Sequence, residues 1–120
     1  MSDNSGKLKV VKRGEVYWVD LDPVKGSEQA KTRPCVVLST GEVNAHRKTV
    51  IVIPLTTTKT AAVPPLLVAV PSAGVDSKAR VEQIRAVDKG RLKNLLGLLH
   101  DGDMREIEIA LQRILRIRPA

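Results

Sequence analysis

The side chains of this sequence that could carry out a reaction are mostly cations and hydroxyls. Arg33 stands at the entrance of one apolar, strand-like run, and Thr56 stands at the exit of another. A later segment adds four polar side chains, Arg80, Glu82, Gln83 and Arg85. An arginine can neutralise charge on a pentacoordinate phosphate, a hydroxyl can donate to its oxygens, and a carboxylate can accept a ribose 2′-OH proton. These are the groups that a metal-independent ribonuclease needs.

Each of these residues also has an ordinary structural interpretation. Arg33 fits a solvated loop charge, and Thr56 fits a turn hydroxyl. Glu82 fits a cross-strand ion pair with Arg80 or Arg85. On composition alone these structural interpretations are the stronger ones, so the nuclease hypothesis needs support from the surrounding sequence.

Metal, disulfide and cofactor chemistry has little support in the sequence. His46 and His100 lie beside predicted turns, and neither has the spacing to cysteine or carboxylates that a metal site needs. The single Cys35 excludes an internal disulfide, and its apolar neighbours predict a buried thiol. The sequence has no glycine-rich phosphate loop and no nucleophile motif. We therefore expect no metal and no cofactor.

The charge balance favours a polyanionic partner. Twenty Lys and Arg residues stand against thirteen Asp and Glu residues, which gives a net charge of +7. Tyr17 and Trp18 are the only aromatic residues, so platforms for stacking bases are scarce. No run approaches the roughly 20 apolar residues of a membrane span, and residues 1–9 lack the apolar run of a signal peptide. These features predict a cytoplasmic protein with no membrane partner.

Two predicted strands and the loop between them organise the chain. The run Glu15–Leu21 carries apolar residues on both faces, and Pro34–Leu38 is a continuous apolar run that is typical of a central strand. The segment 22–33 between them is charged and rich in turn-forming residues. We expect this loop at the surface, where its polar groups meet water or a ligand.

The middle of the chain predicts further short elements. Ser39 is expected to cap a short helical turn over residues 41–45. More strands are predicted at Thr49–Leu55, Leu66–Val70 and Ala79–Val87. Pro54 should interrupt the hydrogen-bond ladder near the end of the first of these strands.

Residues 79–87 and the C-terminal part show the clearest periodicity. The predicted strand at 79–87 alternates, with Gln83 and Arg85 on one face and Arg80 and Glu82 on the other. Residues 92–99 fit either a strand or a helix. From residue 101 apolar side chains recur at three- and four-residue spacing, which predicts a helix capped by one of two aspartates, Asp101 or Asp103.

These elements predict one mainly β domain with helices (α+β). About five to seven short strands would form a compact barrel-like sheet, and a C-terminal helix would cover it. A chain of 120 residues is long enough for one core. We place a flexible N-terminal tail at residues 1–11 and the single domain at residues 12–118.

Several ordered motifs resemble the MazF/PemK family of toxins. The opening of that family is similar to Arg13–Pro23, Gly26–Gln29 and Arg33–Pro34. Its third strand resembles Val50–Thr57, and a later strand resembles Glu82–Lys89. The resemblance spans about residues 12 to 117, and several motifs in the same order are far more specific than any one alone.

The resemblance implies a small SH3-like barrel with helices that forms a homodimer. It also implies the toxin half of a toxin–antitoxin pair, an endoribonuclease that cuts single-stranded RNA at short sequences without a metal. Arg33 and Thr56 match the positions to which catalysis is most often assigned. The ribose 2′-OH would attack its own phosphate to give a 2′,3′-cyclic phosphate and a 5′-OH, so DNA would bind without being cut.

The remaining site residues follow from the same resemblance. Glu82 is a candidate general base, with Arg80 two residues before it. Two residues of the loop, Glu28 and Gln29, would shape the RNA groove, and Gln83 and Arg85 would contact bases or phosphates. Three cations would add long-range attraction for RNA: Lys31, Arg47 and Lys48.

The partners expected from this resemblance are RNA, a second copy of the chain and an antitoxin. The antitoxin would lay an acidic, largely disordered segment into the basic groove and compete with RNA. Two other functions stay open at this point. One is a toxin of the same fold that poisons DNA gyrase in the manner of CcdB, and the other is a basic module that binds RNA without cutting it.

Overall fold

The computed structural model describes residues 10–21 and 32–118 of the protein. Within these ranges it has seven strands: β1 (Glu15–Asp20), β2 (Thr32–Val37), β3 (Thr49–Thr57), β4 (Leu67–Ala69), β5 (Ser77–Arg80), β6 (Arg85–Asp88) and β7 (Leu92–Leu98). The same ranges hold two α-helices, α1 (Gly41–His46) and α2 (Asp101–Leu115). Short 3₁₀ turns occupy Pro71–Ala73, Val81–Gln83 and Lys89–Arg91.

All strand pairs of the sheet are antiparallel. The order is β4-β5-β3-β2-β1-β7, and β6 also pairs with β3. The predicted class, a mainly β domain with a C-terminal helix, is confirmed. The sheet does not close into a ring, because β4 and β7 stay at its two ends.

Strand β3 is longer than the sequence predicts because it pairs with two different strands along the same edge. Residues 49–52 pair with β6, and residues 55–57 pair with β5. Pro54 lies between these two stretches, and on the other side it is opposite Cys35 of β2. The predicted interruption at Pro54 is therefore a change of partner, and the strand continues through it to Thr57.

Alternation along β1 explains why both of its faces are apolar. Val16 belongs to one buried cluster, whereas Tyr17 and Val19 belong to a second cluster on the opposite face. Helix α2 covers the first cluster with one apolar stripe, formed by Met104, Ile107 and Ala110. The central position predicted for β2 is also confirmed, since it lies between β1 and β3.

The start of α2 differs from the prediction. Its N-cap residue is His100, whose side chain makes no capping hydrogen bond. Asp101 is the first helical residue, so its charge is close to the positive end of the helix dipole. The carboxylate of Asp103 accepts hydrogen bonds from the amide and the hydroxyl of Ser72, which tie the 3₁₀ turn 71–73 to the helix.

The start of α1 was also assigned to the wrong residue. Thr40, and not Ser39, is the N-cap, and its hydroxyl accepts from the Val43 amide at 3.5 Å. Ser39 is buried and donates to the side chain of Asn44. The Asn44 amide in turn donates to the Val11 carbonyl at 3.1 Å. Val11 is itself buried, although the sequence places it in the tail.

The single strand predicted at residues 79–87 is wrong. Strand β5 ends at Arg80, a 3₁₀ turn occupies 81–83, and β6 starts at Arg85. The turn breaks the two-residue alternation, so the predicted division of polar side chains between two faces does not hold. Val81 is buried at this break, and Glu82 and Gln83 are exposed.

Residues 92–98, which fitted strand or helix, form the edge strand β7. In the part of the chain that the structure describes, neither helix has the length and apolar character needed to cross a membrane.

Candidate active site at the strand ends

Strand register brings Arg33 and Thr56 together. Strands β2 and β3 pair Val37 with Val52, Val36 with Ile53 and Cys35 with Pro54. Continuing this register by two residues sets Arg33 opposite Thr56, and both residues are half-buried. Directly opposed residues of an antiparallel pair point to the same face, with their Cβ atoms roughly 5 Å apart.

A pocket of about 310 Å³ lies at these strand ends. It is lined by Trp18, Thr32, Arg33, Pro34, Leu55, Thr56 and Thr57. Arg33 was predicted to end the surface loop, but it is the second residue of β2. Its backbone is therefore part of the sheet, and the strand limits where its guanidinium group can go.

The pKa of the buried thiol next to this pocket depends on the charges around it. Cys35 is fully buried, as predicted, and burial raises the pKa of its thiol to about 12. The positive charges of Arg85 and Arg33 lower that pKa, and their effect is smaller than that of burial. Both guanidinium groups are therefore close enough to act on the same atom.

Register explains why Arg85 joins this group. It pairs with Val52 of β3, and Val52 shares a face with Pro54 and Thr56 because alternate residues of a strand point the same way. This face thus carries two guanidinium groups and one hydroxyl, although Arg85 lies opposite the middle of β3 and does not line the pocket. Such a set can hold a phosphate and neutralise extra charge on it.

The other residues of the later segment are less well placed. Arg80 is the half-buried last residue of β5 and pairs with Leu67, and the exposed Glu82 and Gln83 follow it in the 3₁₀ turn. None of these three residues lines the pocket. Their roles in catalysis and RNA binding stay predictions.

The structural alternative for Glu82 finds no support. Within residues 10–21 and 32–118 its side chain forms no ion pair with Arg80 or Arg85, and the ion pairs of those ranges lie elsewhere, at Arg13–Glu108 and Lys59–Asp76. The predicted groove residues Glu28, Gln29 and Lys31 lie outside the described residues.

Two residues that the sequence analysis did not assign to the site lie beside it. Trp18 lines the pocket and is 39% exposed, although it lies in a strand with apolar residues on both faces. Lys78 pairs with Thr56 across β5 and β3 and is buried. Its ammonium donates to the Thr58 carbonyl at 2.9 Å, which fixes the chain just beyond the strand. No sequence signal separated this lysine from the other surface-type cations.

A second pocket of about 210 Å³ adjoins the first and shares four residues with it, Pro34, Leu55, Thr56 and Thr57. Hydroxyls of Ser72 and Ser77 line its far side, and the β7 residues 96–98 line the opposite side. Over the described ranges, no three side chains among His, Cys, Asp and Glu lie close enough together to hold a metal ion.

Known proteins share both the sequence pattern and the fold. Residues 12–115 match the family described as PemK-like, MazF-like toxin of type II toxin–antitoxin system. Over 106 residues the chain is 39% identical to the endoribonuclease MazF of Staphylococcus saprophyticus, an alignment that covers 85% of this chain and 88% of the relative.

Solved structures extend the comparison. An endoribonuclease from a mycobacterial species is 26% identical and has a TM-score of 0.76, with 95% of this chain and 99% of the other covered. A mycobacterial endoribonuclease in complex with its cognate antitoxin is also 26% identical, with a TM-score of 0.74 and coverages of 93% and 99%. Because the family match spans nearly the whole described domain, this protein belongs to the PemK-like, MazF-like toxins of type II toxin–antitoxin systems.

Proposed function

We propose that this endoribonuclease toxin cuts single-stranded RNA at the ends of β2 and β3, with Arg33 and Thr56 as its catalytic residues. The observation that carries the proposal is the strand register, which sets these two residues opposite each other at a shared pocket. Arg85 adds a second guanidinium group on the same face. The two positive charges and the hydroxyl donor can together bind the negatively charged phosphate while its ester bond is exchanged.

The proposed reaction is a transesterification within the RNA chain. The 2′ oxygen forms a bond to phosphorus, and the bond from phosphorus to the 5′ oxygen of the next nucleotide breaks. Thr56 donates to a phosphate oxygen, while Arg33 neutralises the phosphorane. Arg33 also supplies the proton of the leaving oxygen and regains it from solvent. The products are a 2′,3′-cyclic phosphate and a 5′-OH, and no metal takes part.

Glu82 is proposed as the base that accepts the 2′-OH proton, with Arg80 as its neighbour in the site. The support is indirect: the carboxylate is exposed, and within the described residues its side chain makes no ion pair that would give it a structural role. Gln83 and Arg85 would contact bases and phosphates beyond the cut. Residues of the loop, Glu28, Gln29 and Lys31, would shape the groove and select the cleavage sequence.

A homodimer is proposed from the exposed edge of the sheet. Strand β7 is the last strand on its side, and three of its leucines are exposed, Leu95, Leu96 and Leu98. An apolar edge strand that faces solvent is a site for association with another chain. A copy related by a two-fold axis would cover the same strand on both subunits.

The antitoxin is proposed to be acidic, because its binding site is the basic groove that holds RNA. The net charge of +7 favours such a partner. A structural relative was solved in complex with its cognate antitoxin. By blocking the cutting of messenger RNA, the antitoxin would allow the cell to grow.

The test uses purified protein and a long unstructured RNA in excess EDTA, with product ends mapped. We expect discrete cuts that leave 5′-OH ends, and their positions would define the cleavage sequence. The Arg33→Ala protein, shown to be folded by circular dichroism, is the control and should leave the RNA intact. Intact RNA with the folded wild-type protein would reject the proposal and favour gyrase inhibition or simple RNA binding, which gyrase and binding assays would then separate.

A further inference from the structure

Trp18 is a large apolar side chain that the fold leaves uncovered. It is the only tryptophan of the chain and is 39% exposed, although it lies in the middle of β1. The other aromatic residue, Tyr17, is buried, and its hydroxyl donates to Glu15 at 2.8 Å. The indole of Trp18 is therefore the one aromatic face that this protein offers to a ligand.

The indole is held in place by its cross-strand neighbour. Trp18 is directly opposite Pro34 of β2, and both residues line the pocket that contains Arg33 and Thr56. Opposed residues of an antiparallel pair have Cβ atoms roughly 5 Å apart, so the proline ring is positioned to pack against the indole. A platform held in this way loses little conformational entropy when a flat ligand binds to it.

The two sides of the pocket differ in chemistry. Alternation places Arg33 and Thr56 on one face of the sheet, and Trp18, Pro34 and Thr57 on the other. The pocket lies at the strand ends, where residues of both faces line it. One side thus offers cationic and hydroxyl groups, and the other side offers an aromatic surface.

A nucleotide has the same two-sided character, because its phosphate and its base project from different sides of the ribose. We propose that Trp18 stacks on a base of the RNA strand whose phosphate is held by Arg33 and Thr56. This inference rests on the proposed nuclease site and adds a binding residue to it. Stacking on an aromatic face tolerates any base, so Trp18 would contribute affinity and position, while other residues read the sequence.

The expected size of the effect is set by base stacking in other single-strand binding proteins. Replacing Trp18 with leucine should raise the Kd for RNA roughly five- to hundredfold. The stacking contact is made in the ground state as well as in the transition state, so KM should rise more than kcat falls. Trp18→Phe keeps an aromatic face and should stay within severalfold of the wild type.

The single tryptophan makes the test direct. The wild-type protein is titrated with a DNA oligonucleotide, which has no 2′-OH and is not cut, while tryptophan fluorescence is recorded. We expect saturable quenching whose midpoint agrees with the Kd from anisotropy of a separately labelled oligonucleotide. Trp18→Leu and Trp18→Phe are compared by anisotropy and by RNA cleavage. Leu115→Ala, an exposed apolar residue at the end of α2, is the matched control and should bind like the wild type.

Several results would overturn the stacking proposal. Unchanged fluorescence at saturation, or wild-type affinity in folded Trp18→Leu, would show that the indole does not touch the nucleic acid. A switch from dimer to monomer in Trp18→Leu, seen by analytical ultracentrifugation, would show that the indole belongs to an interface between copies. Normal RNA cutting by Trp18→Leu with unchanged KM would reject stacking and leave the nuclease proposal standing. Quenching and weakened Trp18→Leu binding without any RNA cutting would support stacking and reject the nuclease.

Discussion

The two regions that hold the candidate catalytic groups are built differently. Arg33 and Thr56 belong to the paired strands β2 and β3, so their spacing is set by the sheet. Residues 80–85 cross a 3₁₀ turn between β5 and β6, and Glu82 and Gln83 are exposed there. The comparison teaches that a regular ladder can position groups for phosphate chemistry before RNA binds. The exposed side chains of the 3₁₀ turn have no such ladder to position them.

The largest expected effect on RNA cutting comes from replacing Arg33 in β2. Arg33→Ala should lower the rate of RNA cutting roughly 10³-fold, since loss of one preorganised charge donor at a transition state costs about that much. The free energy of unfolding should change far less than the cutting rate, because Arg33 lies at the start of its strand and outside both buried clusters. Single-turnover cleavage and urea denaturation measure the two quantities. A folded variant that cuts normally would remove Arg33 from the mechanism.

The second-largest expected effect on RNA cutting comes from replacing Glu82 in the 3₁₀ turn. Glu82→Gln should lower cutting about 10²-fold if the carboxylate is the base. Gln keeps the size of the side chain, so this variant separates charge from packing. Glu42→Gln, another exposed carboxylate in the described part, is the matched control. Normal cutting by folded Glu82→Gln would place the base elsewhere.

Replacing Thr56 should lower the rate of RNA cutting less than replacing Arg33 or Glu82. Replacing it with valine keeps the shape of the β-branched side chain and removes one hydrogen bond to the phosphate, which we expect to cost about tenfold in rate. The exposed Thr49 is the control, because it lies at the other end of β3 and lines neither pocket. Equal losses in Thr56→Val and Thr49→Val would argue against a specific role for Thr56.

The smallest expected effect is a change in the free energy of unfolding with pH, caused by the Cys35 thiol and the charges next to it. The folded-state pKa of about 12 lies above the ordinary 9.0, so the folded protein keeps the proton longer than the unfolded chain. Stability from this thiol should be fully present below pH 9 and should be lost as pH rises from 9 towards 12. Tyr17, whose pKa burial raises from 10.0 to about 12, adds to the same trend.

Urea denaturation between pH 8 and 11 measures this loss. Cys35→Val should be less sensitive to pH above 9 than the wild type. Arg85→Ala removes a positive charge that lowers the thiol pKa, so the loss of stability should begin at the same pH and continue to a higher pH. Identical pH profiles for the wild type and Cys35→Val would mean that the thiol is not the group responsible.

The local patterns of the chain predicted most of the elements near the site. The run Pro34–Leu38 marked a central strand, and the spacing of Met104, Ile107 and Leu111 marked α2. These predictions held because two- and 3.6-residue periodicities follow from the geometry of each element alone. The prediction at 79–87 failed because alternation of polar and apolar residues continued through a 3₁₀ turn that packs Val81 into the core.

The sequence by itself determined the residue types of the candidate site, the family of the toxin and two strands that end next to Arg33 and Thr56. Tertiary structure alone decided that these two residues line one pocket, that Arg85 lies on the same face of the sheet and that Trp18 stays exposed at that pocket. Register and partner choice arise from hydrogen bonds between residues far apart in the chain. A shift of one residue would turn every side chain to the opposite face, so no local pattern could have assigned the pocket.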